Sequence, residues 1–243
     1  MQTKRRRRGL VIALCLILLL GVTVCLHPRV SIPLGLRAGA PVIPLLTFSG
    51  TEEIHTLYSS FLASDPAYFY VAPYYAVGTR ADGGVAYLKP VYRWTGKELA
   101  KAKEDYEARL SDILAPAKIL PTRREQVGYL HDYLISQFLY DRSETVYDPY
   151  TMLLTGRGVC QAFSLLFCDL CSRLDIPCEV TLCFSMQHQW NRVYVDGEWL
   201  ALDLVWDAGE TGVTGVLSRR YFLLSDAELL ALRVARDPAW EAI

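Results

Sequence analysis

The sequence predicts an α+β protein, with helices packed on an antiparallel sheet and a membrane-spanning helix in front of them. Three observations predict it. Apolar residues recur at helical spacing in "REQVGYLHDYLISQF", at Val127, Leu130, Leu134, Ile135 and Phe138. Two runs rich in aromatic and β-branched residues, "QHQWNRVYV" and "EWLALDLVW", flank Asp196-Gly197, the two-residue signal of a tight hairpin. Eighteen uncharged residues, Gly9 to Leu26, follow a cluster of Lys4 and Arg5 to Arg8.

That first segment sets the topology. As a helix it is roughly 27 Å long at about 1.5 Å per residue, close to the ~30 Å of a bilayer core. The arginines stay cytoplasmic, so the chain beyond Leu26 is expected outside. A cleaved signal peptide is the rival reading, but Ala38-Gly39-Ala40 lies well past the apolar run, with Arg29 and Arg37 between. Cys25 would suit a lipoprotein, yet Val24 before it lacks the small side chain that such processing favours. The division expected is a basic N-terminus (1–8), an anchor (9–26), a linker (27–50), an α/β extension (51–115) and a main C-terminal domain (116–243).

The elements follow in order. Residues 27–50 are rich in Pro and Gly and read as a linker or extended arm. "TEEIHTLYSSFLASDP" is a short helix ended by Pro66. "AYFYVAPYYAVG" and "GVAYLKPVYRW" form a hairpin around "TRADGG", with Pro73 and Pro90 suggesting edge strands. "TGKELAKAKEDYEARLSDILA" is a helix with Thr95 and Glu98 as a capping box. A second helix runs from about Thr122 to Tyr140, and a third from Cys160 to about Leu174. Three strands come next: "CEVTLCFS" and the two hairpin runs. "SDAELLALRVA" closes the chain as a helix, with Ser225 and Glu228 as its capping box.

Charge and cysteine usage exclude several classes. Beyond the anchor there are 20 basic and 26 acidic residues, which argues against a nucleic-acid partner. Five cysteines remain there: Cys160, Cys168, Cys171, Cys178 and Cys183. An odd number fits one nucleophile with up to two disulfides, and equally five reduced core thiols. Cys168 and Cys171 share a helix face, but no further pair stands at a zinc-binding spacing, so no metal is expected. No cofactor motif is present.

The chemistry gathers around "TGRGVCQAFS". A thiol attacks as thiolate, a form favoured by a helix N-terminus and by a nearby imidazole. Gly156 and Gly158 allow a tight turn that puts Cys160 on the first turn of its helix. With Val195 opposite Glu198, His188 faces Val205, and Asp203 points to the same side two positions away. The hairpin thus offers an imidazole with a carboxylate behind it, the logic of a nucleophile, base and orienter. Asp207 has the same parity and is the alternative orienter. His131 reads as a packing or capping residue, and His55 as a surface one. Trp190 and Trp206 either wall the site or fill the core.

"GRGVCQAFS", "HQWNRVYVDGEW" and "ALDLVWD" resemble the three motifs of the transglutaminase-like superfamily, in order and in approximate spacing. "LHDYLISQFLYD" and "DPYTMLLTGRG" resemble the segment before the cysteine in bacterial members, and residues 51–115 with the "YFLLSD" tail resemble flanks of membrane-anchored bacterial members. The likeness covers about Val127 to Asp207 and departs at Val205, where such proteins often carry Thr. It implies a papain-like core whose cysteine-bearing helix packs on the sheet, with Cys160 as nucleophile, His188 as base and Asp203 as orienting acid. It also implies acyl transfer on amide bonds of a peptide or protein substrate. Hydrolysis is the reading preferred; a protein-glutamine transglutaminase or a non-catalytic binding module at the cell surface are the alternatives. One oxyanion donor is expected from the Cys160 backbone N–H, and the second from Tyr140 or Gln161.

Overall fold

A computed structural model describes residues 27–46, 50–183, 186–214 and 216–236. The segment 9–26, expected to span the membrane, lies outside them. Among the described residues no helix is long and apolar enough to cross a membrane. The chain forms two compact units.

The first unit comprises residues 27–62 and 70–96. The stretch expected as a linker holds helix α1 (Pro28–Arg37) and strand β1 (Ile43–Pro44). Pro28 stands at its first position, where no intrahelical donor is needed, while Pro33 lies inside the helix. His27 caps it, accepting from Arg29 N at 3.3 Å. Helix α2 (Thr51–Ser64) follows, then the hairpin of β2 (Val71–Thr79) and β3 (Val85–Tyr92). The sheet order is β1-β3-β2. β3 is therefore central, not an edge. β1 reaches only its Tyr87 and Leu88, so Pro90 owes no donor to a neighbour on that side. Tyr58, fully buried on α2, donates to the Ala72 carbonyl at 2.8 Å and fixes helix to sheet.

The second unit comprises Ala63–Phe69 and residues from Lys97 onward. Helix α3 (Gly96–Lys118) leads to α4 (Arg123–Gln137), which starts on a reciprocal capping box between Thr122 and Glu125. β4 (Leu139–Tyr140) pairs in parallel with β5 (Arg157–Gly158), and the short α5 (Pro149–Thr155) lies between them in sequence. Helix α6 (Cys160–Ser172) buries Phe163, Leu166, Phe167 and Leu170.

β6 (Cys178–Cys183), β7 (His188–Val195) and β8 (Glu198–Leu202) form an antiparallel sheet in that order. On β7, Gln189, Asn191, Val193 and Val195 are buried, while His188, Trp190 and Arg192 alternate with them and lie on the opposite face. Asn191 is fully buried and donates to the Ser164 carbonyl at 3.0 Å, which ties α6 to the middle strand.

The hairpin register is the expected one, from Val195 opposite Glu198 to Asn191 opposite Leu202. The strand is shorter than expected. It ends at Leu202, and helix α7 (Leu204–Thr214) begins where "LVW" reads as strand. His188 therefore does not face Val205. Asp203 turns the chain: its Oδ1 accepts from Trp206 N at 3.2 Å and its carbonyl from Asp207 N at 3.1 Å, as a helix N-cap does. The last helix is α8 (Asp226–Arg236), with Ser225 and Glu228 bonded reciprocally at its start.

Candidate active site

Cys160 owes its place to two glycines. Gly156 ends α5 in the left-handed region (φ 73°), and its N–H bonds the Met152 carbonyl at 2.9 Å. Gly158 is packed so closely that a Cβ there would stand 2.8 Å from Ala162 Cβ and 2.9 Å from Met152 Sδ. The chain thus enters α6 tightly against its own first turn. Cys160, half-buried, is the first residue of that helix, where backbone N–H groups lack helical acceptors. Its Sγ lies 4.0 Å from the Gln187 carbonyl, one residue before His188.

A loop not anticipated from sequence frames the thiol. Asp141, buried, accepts from Ser143 N at 3.1 Å, Thr145 N at 2.9 Å and Val146 N at 3.0 Å. The Ser143 hydroxyl and these amides hold its carboxyl well below the usual carboxylate range. The loop that it fixes is joined to the nucleophile's approach, since Val159 N bonds the Val146 carbonyl at 3.0 Å. Tyr140 and Tyr147, at its two ends, are titrated upward by burial first, with the Cys160 charge contributing to both.

His188 Nε2 lies 2.7 Å from Asp203 Oδ2. Burial of the ring opposes its charge. The Asp203 charge and hydrogen bond, with the Cys160 side chain bonded to the ring, outweigh that and push His188 up to about 9. The structure thus brings Cys160, His188 and Asp203 together, although Asp203 arrives from a helix cap and not from a strand. Trp206 stacks on the imidazole at 5.5 Å and 16°, and Trp190 at 6.0 Å and 25°, so both indoles wall the histidine.

Two features of the site escaped the sequence. Arg233 on α8 is 3% exposed, and its Nη2 donates to Asp203 Oδ2 at 2.8 Å. Asp207, the alternative orienter, belongs to another histidine. Its Oδ2 lies 3.0 Å from Nε2 of His131, which is fully buried on α4, and its Oδ1 accepts from Ser218 Oγ at 2.7 Å and Tyr221 N at 3.1 Å. His131 Nδ1 lies 3.0 Å from Asp132. Burial works against its charge, but the two carboxylates prevail and its pKa is raised. This second histidine–carboxylate pair clamps α4 to α7. A histidine in the i+4 frame of a buried helix face was the sole signal for it.

The other cysteines among the described residues, Cys168, Cys171, Cys178 and Cys183, are free thiols. Cys168 donates to the Cys178 carbonyl at 3.4 Å, and Cys171 is buried. Among the described residues no group of three or more metal-ligating side chains is placed to hold an ion.

Residues 115–204 match the family described as the transglutaminase-like superfamily, and the matched segment contains Cys160, His188 and Asp203. No curated protein matches the chain. Among solved structures, the chain resembles a candidate cysteine protease from Cytophaga hutchinsonii, with 12% identity, 54% of this chain and 61% of that one covered, and a TM-score of 0.35. It also resembles a TGase, with 13% identity, 76% and 54% covered, and a TM-score of 0.38. A candidate protease from Parabacteroides distasonis shares 14% identity over 54% of this chain and 35% of that one, with a TM-score of 0.33. The chain therefore spans 35–61% of the length of these structures.

Proposed function

We propose that the protein is a thiol enzyme that works by acyl transfer on amide bonds of peptide or protein substrates. The observation that carries this reading is the buried 2.7 Å bond between His188 and Asp203, with a half-buried cysteine at a helix start bonded to the same ring. A binding module has no use for three such groups in one line.

Asp203 occupies Nε2 and leaves Nδ1 to take the Cys160 proton. The thiolate then adds to the amide carbonyl, and the C–N bond breaks as His188 returns the proton to the departing amine. A thioester remains on Cys160. Water, deprotonated by His188, releases the acid and restores the thiol. The oxyanion is held by the Cys160 backbone N–H at the start of α6 and by the Tyr140 hydroxyl. Burial, with the negative charge on Cys160 adding to it, raises the Tyr140 pKa, so the hydroxyl is a donor. Resolution of the thioester by a primary amine in place of water would make the protein a transglutaminase; the same three residues serve either outcome. In this reading the segment 9–26 anchors the chain, with the arginine cluster inside and the enzyme on the outer face of the membrane.

The test is product analysis. Wild type incubated with a protease-derived peptide mixture should generate new carboxyl termini or deamidated glutamines that Cys160→Ala does not. Addition of a primary amine separates hydrolysis from transamidation by mass. Identical peptide patterns from wild type and Cys160→Ala, with and without the amine, would contradict the proposal.

A further inference from the structure

Helix α8 lies beyond the matched segment 115–204, yet it sends one side chain into the centre of the site. We propose that Arg233 is a positioning residue of the triad, which fixes Asp203 against His188 through a guanidinium wedged on the indoles of Trp190 and Trp206. This rests on the reading of Cys160, His188 and Asp203 given above.

A buried arginine is costly, and desolvation lowers the Arg233 pKa even with Asp203 beside it. A position that merely needed a helix to dock would be served by an apolar side chain. What Arg233 supplies is geometry. Its Nη2 and the His188 Nε2 reach the same oxygen, Asp203 Oδ2, at 2.8 and 2.7 Å, while Oδ1 is taken by Trp206 N at 3.2 Å. The carboxylate is thus gripped from three elements: α8, β7 and its own helix cap. The guanidinium carbon stands 3.8 Å from the Trp190 ring centre and 4.9 Å from that of Trp206. The same two indoles stack on His188. One aromatic wall therefore sets the positions of both donors to Asp203. A planar fork can lie flat on that wall and reach the oxygen at once, whereas an ammonium supplies the charge without the plane. The charged or titratable groups around His188 are Cys160 on α6, Cys183 opposite it on β6, Asp203 and Arg233.

Arg233→Lys isolates geometry from charge. Because a cation remains, any change in His188 arises from a loosened Asp203. The readout is the rate of Cys160 alkylation by iodoacetamide across pH, on the folded protein. In wild type the rate should already be high at neutral pH, where protonated His188 stands beside the thiolate. In Arg233→Lys the rising limb of the rate–pH profile should move up by at least about half a pH unit, with a fall of at least about threefold at neutral pH, because a loosened Asp203 supports the protonated ring less. Ser225→Ala removes the capping box of α8 without touching Asp203 and should leave the profile in place. Arg233→Ala, with the guanidinium cut away, should regain speed with added methylguanidinium and not with methylammonium, which decides the matter should the lysine variant fold poorly. A wild-type profile in Arg233→Lys, the same shift in Ser225→Ala, or rescue by both cations or by neither would overturn the proposal. A wild-type Cys160 no faster than the other thiols would overturn the triad reading itself, a distinguishable failure.

Discussion

Asp203→Asn and Asp207→Asn separate reactivity from stability, because the two carboxylates hold different histidines. Asp203 is one turn ahead of Asp207 on the same helix start, yet it serves His188, whereas Asp207 serves His131. In Asp203→Asn the amide oxygen is drawn to Oδ2, where Arg233 and His188 donate, and the amide nitrogen is left facing Trp206 N. The negative charge that raises His188 is gone. His188 stands at about 9 against an ordinary 6.5, so its return towards that value lowers proton affinity by about 10²-fold or more, since each pKa unit is tenfold. Alkylation of Cys160 at pH 7 should fall about 10–10³-fold, less than the ~10⁴ that an orienting carboxylate is worth to a serine nucleophile. Asp207→Asn keeps one oxygen acceptor but turns an NH2 donor towards either His131 or the Ser218 and Tyr221 donors, and removes the charge, so it should lower stability by about 2–4 kcal/mol. Once folded, it should alkylate within about threefold of wild type. The assays are timed iodoacetamide labelling with peptide mapping, and urea unfolding of each variant. A fast Cys160 in Asp203→Asn together with a slow one in folded Asp207→Asn would refute the assignment.

Three further outcomes are expected. Gly158→Ala has no room between Ala162 and Met152 and should cost about 1–3 kcal/mol in unfolding, with slower Cys160 labelling as its helix start shifts. His188 is raised in the folded protein, so its contribution is complete below the unfolded value near 6.5 and is lost as pH climbs through about 9. The urea midpoint of wild type should therefore decline across that window by about 1–3 kcal/mol equivalent, and the decline should shrink in His188→Ala; an unchanged slope would contradict the shift. A tag after Ile243 should be open to protease on intact cells, on a protein that keeps its N-terminus; a trimmed soluble product would show that the segment 9–26 is a cleaved signal.

What the sequence disclosed depended on how local each determinant was. Asp196-Gly197 is a two-residue instruction, and the register that it implies is present from Val195–Glu198 to Asn191–Leu202. The glycines before Cys160 are equally local, and the helix starts at that cysteine. "LDLVW" was ambiguous because a short apolar run fits a strand or a buried helix start, and tertiary context chose the helix. The meeting of His188 and Asp203 survives, since a residue just past the strand end still lies beside the middle strand. Arg233 left no local trace: it stands 30 residues beyond Asp203, on a helix whose charge pattern looks like an ordinary solvated face. The linker reading of residues 27–50 treated proline as a breaker, although at the first turn it starts a helix.

The central claim is that Cys160 is the activated thiol, and competitive labelling measures it directly. Limiting iodoacetamide on the folded protein near pH 7, followed by quantitation of each cysteine peptide, should label Cys160 ahead of Cys168, Cys171, Cys178 and Cys183, and His188→Ala should abolish the lead. Equal labelling of the five, or a lead that His188→Ala leaves intact, would contradict it.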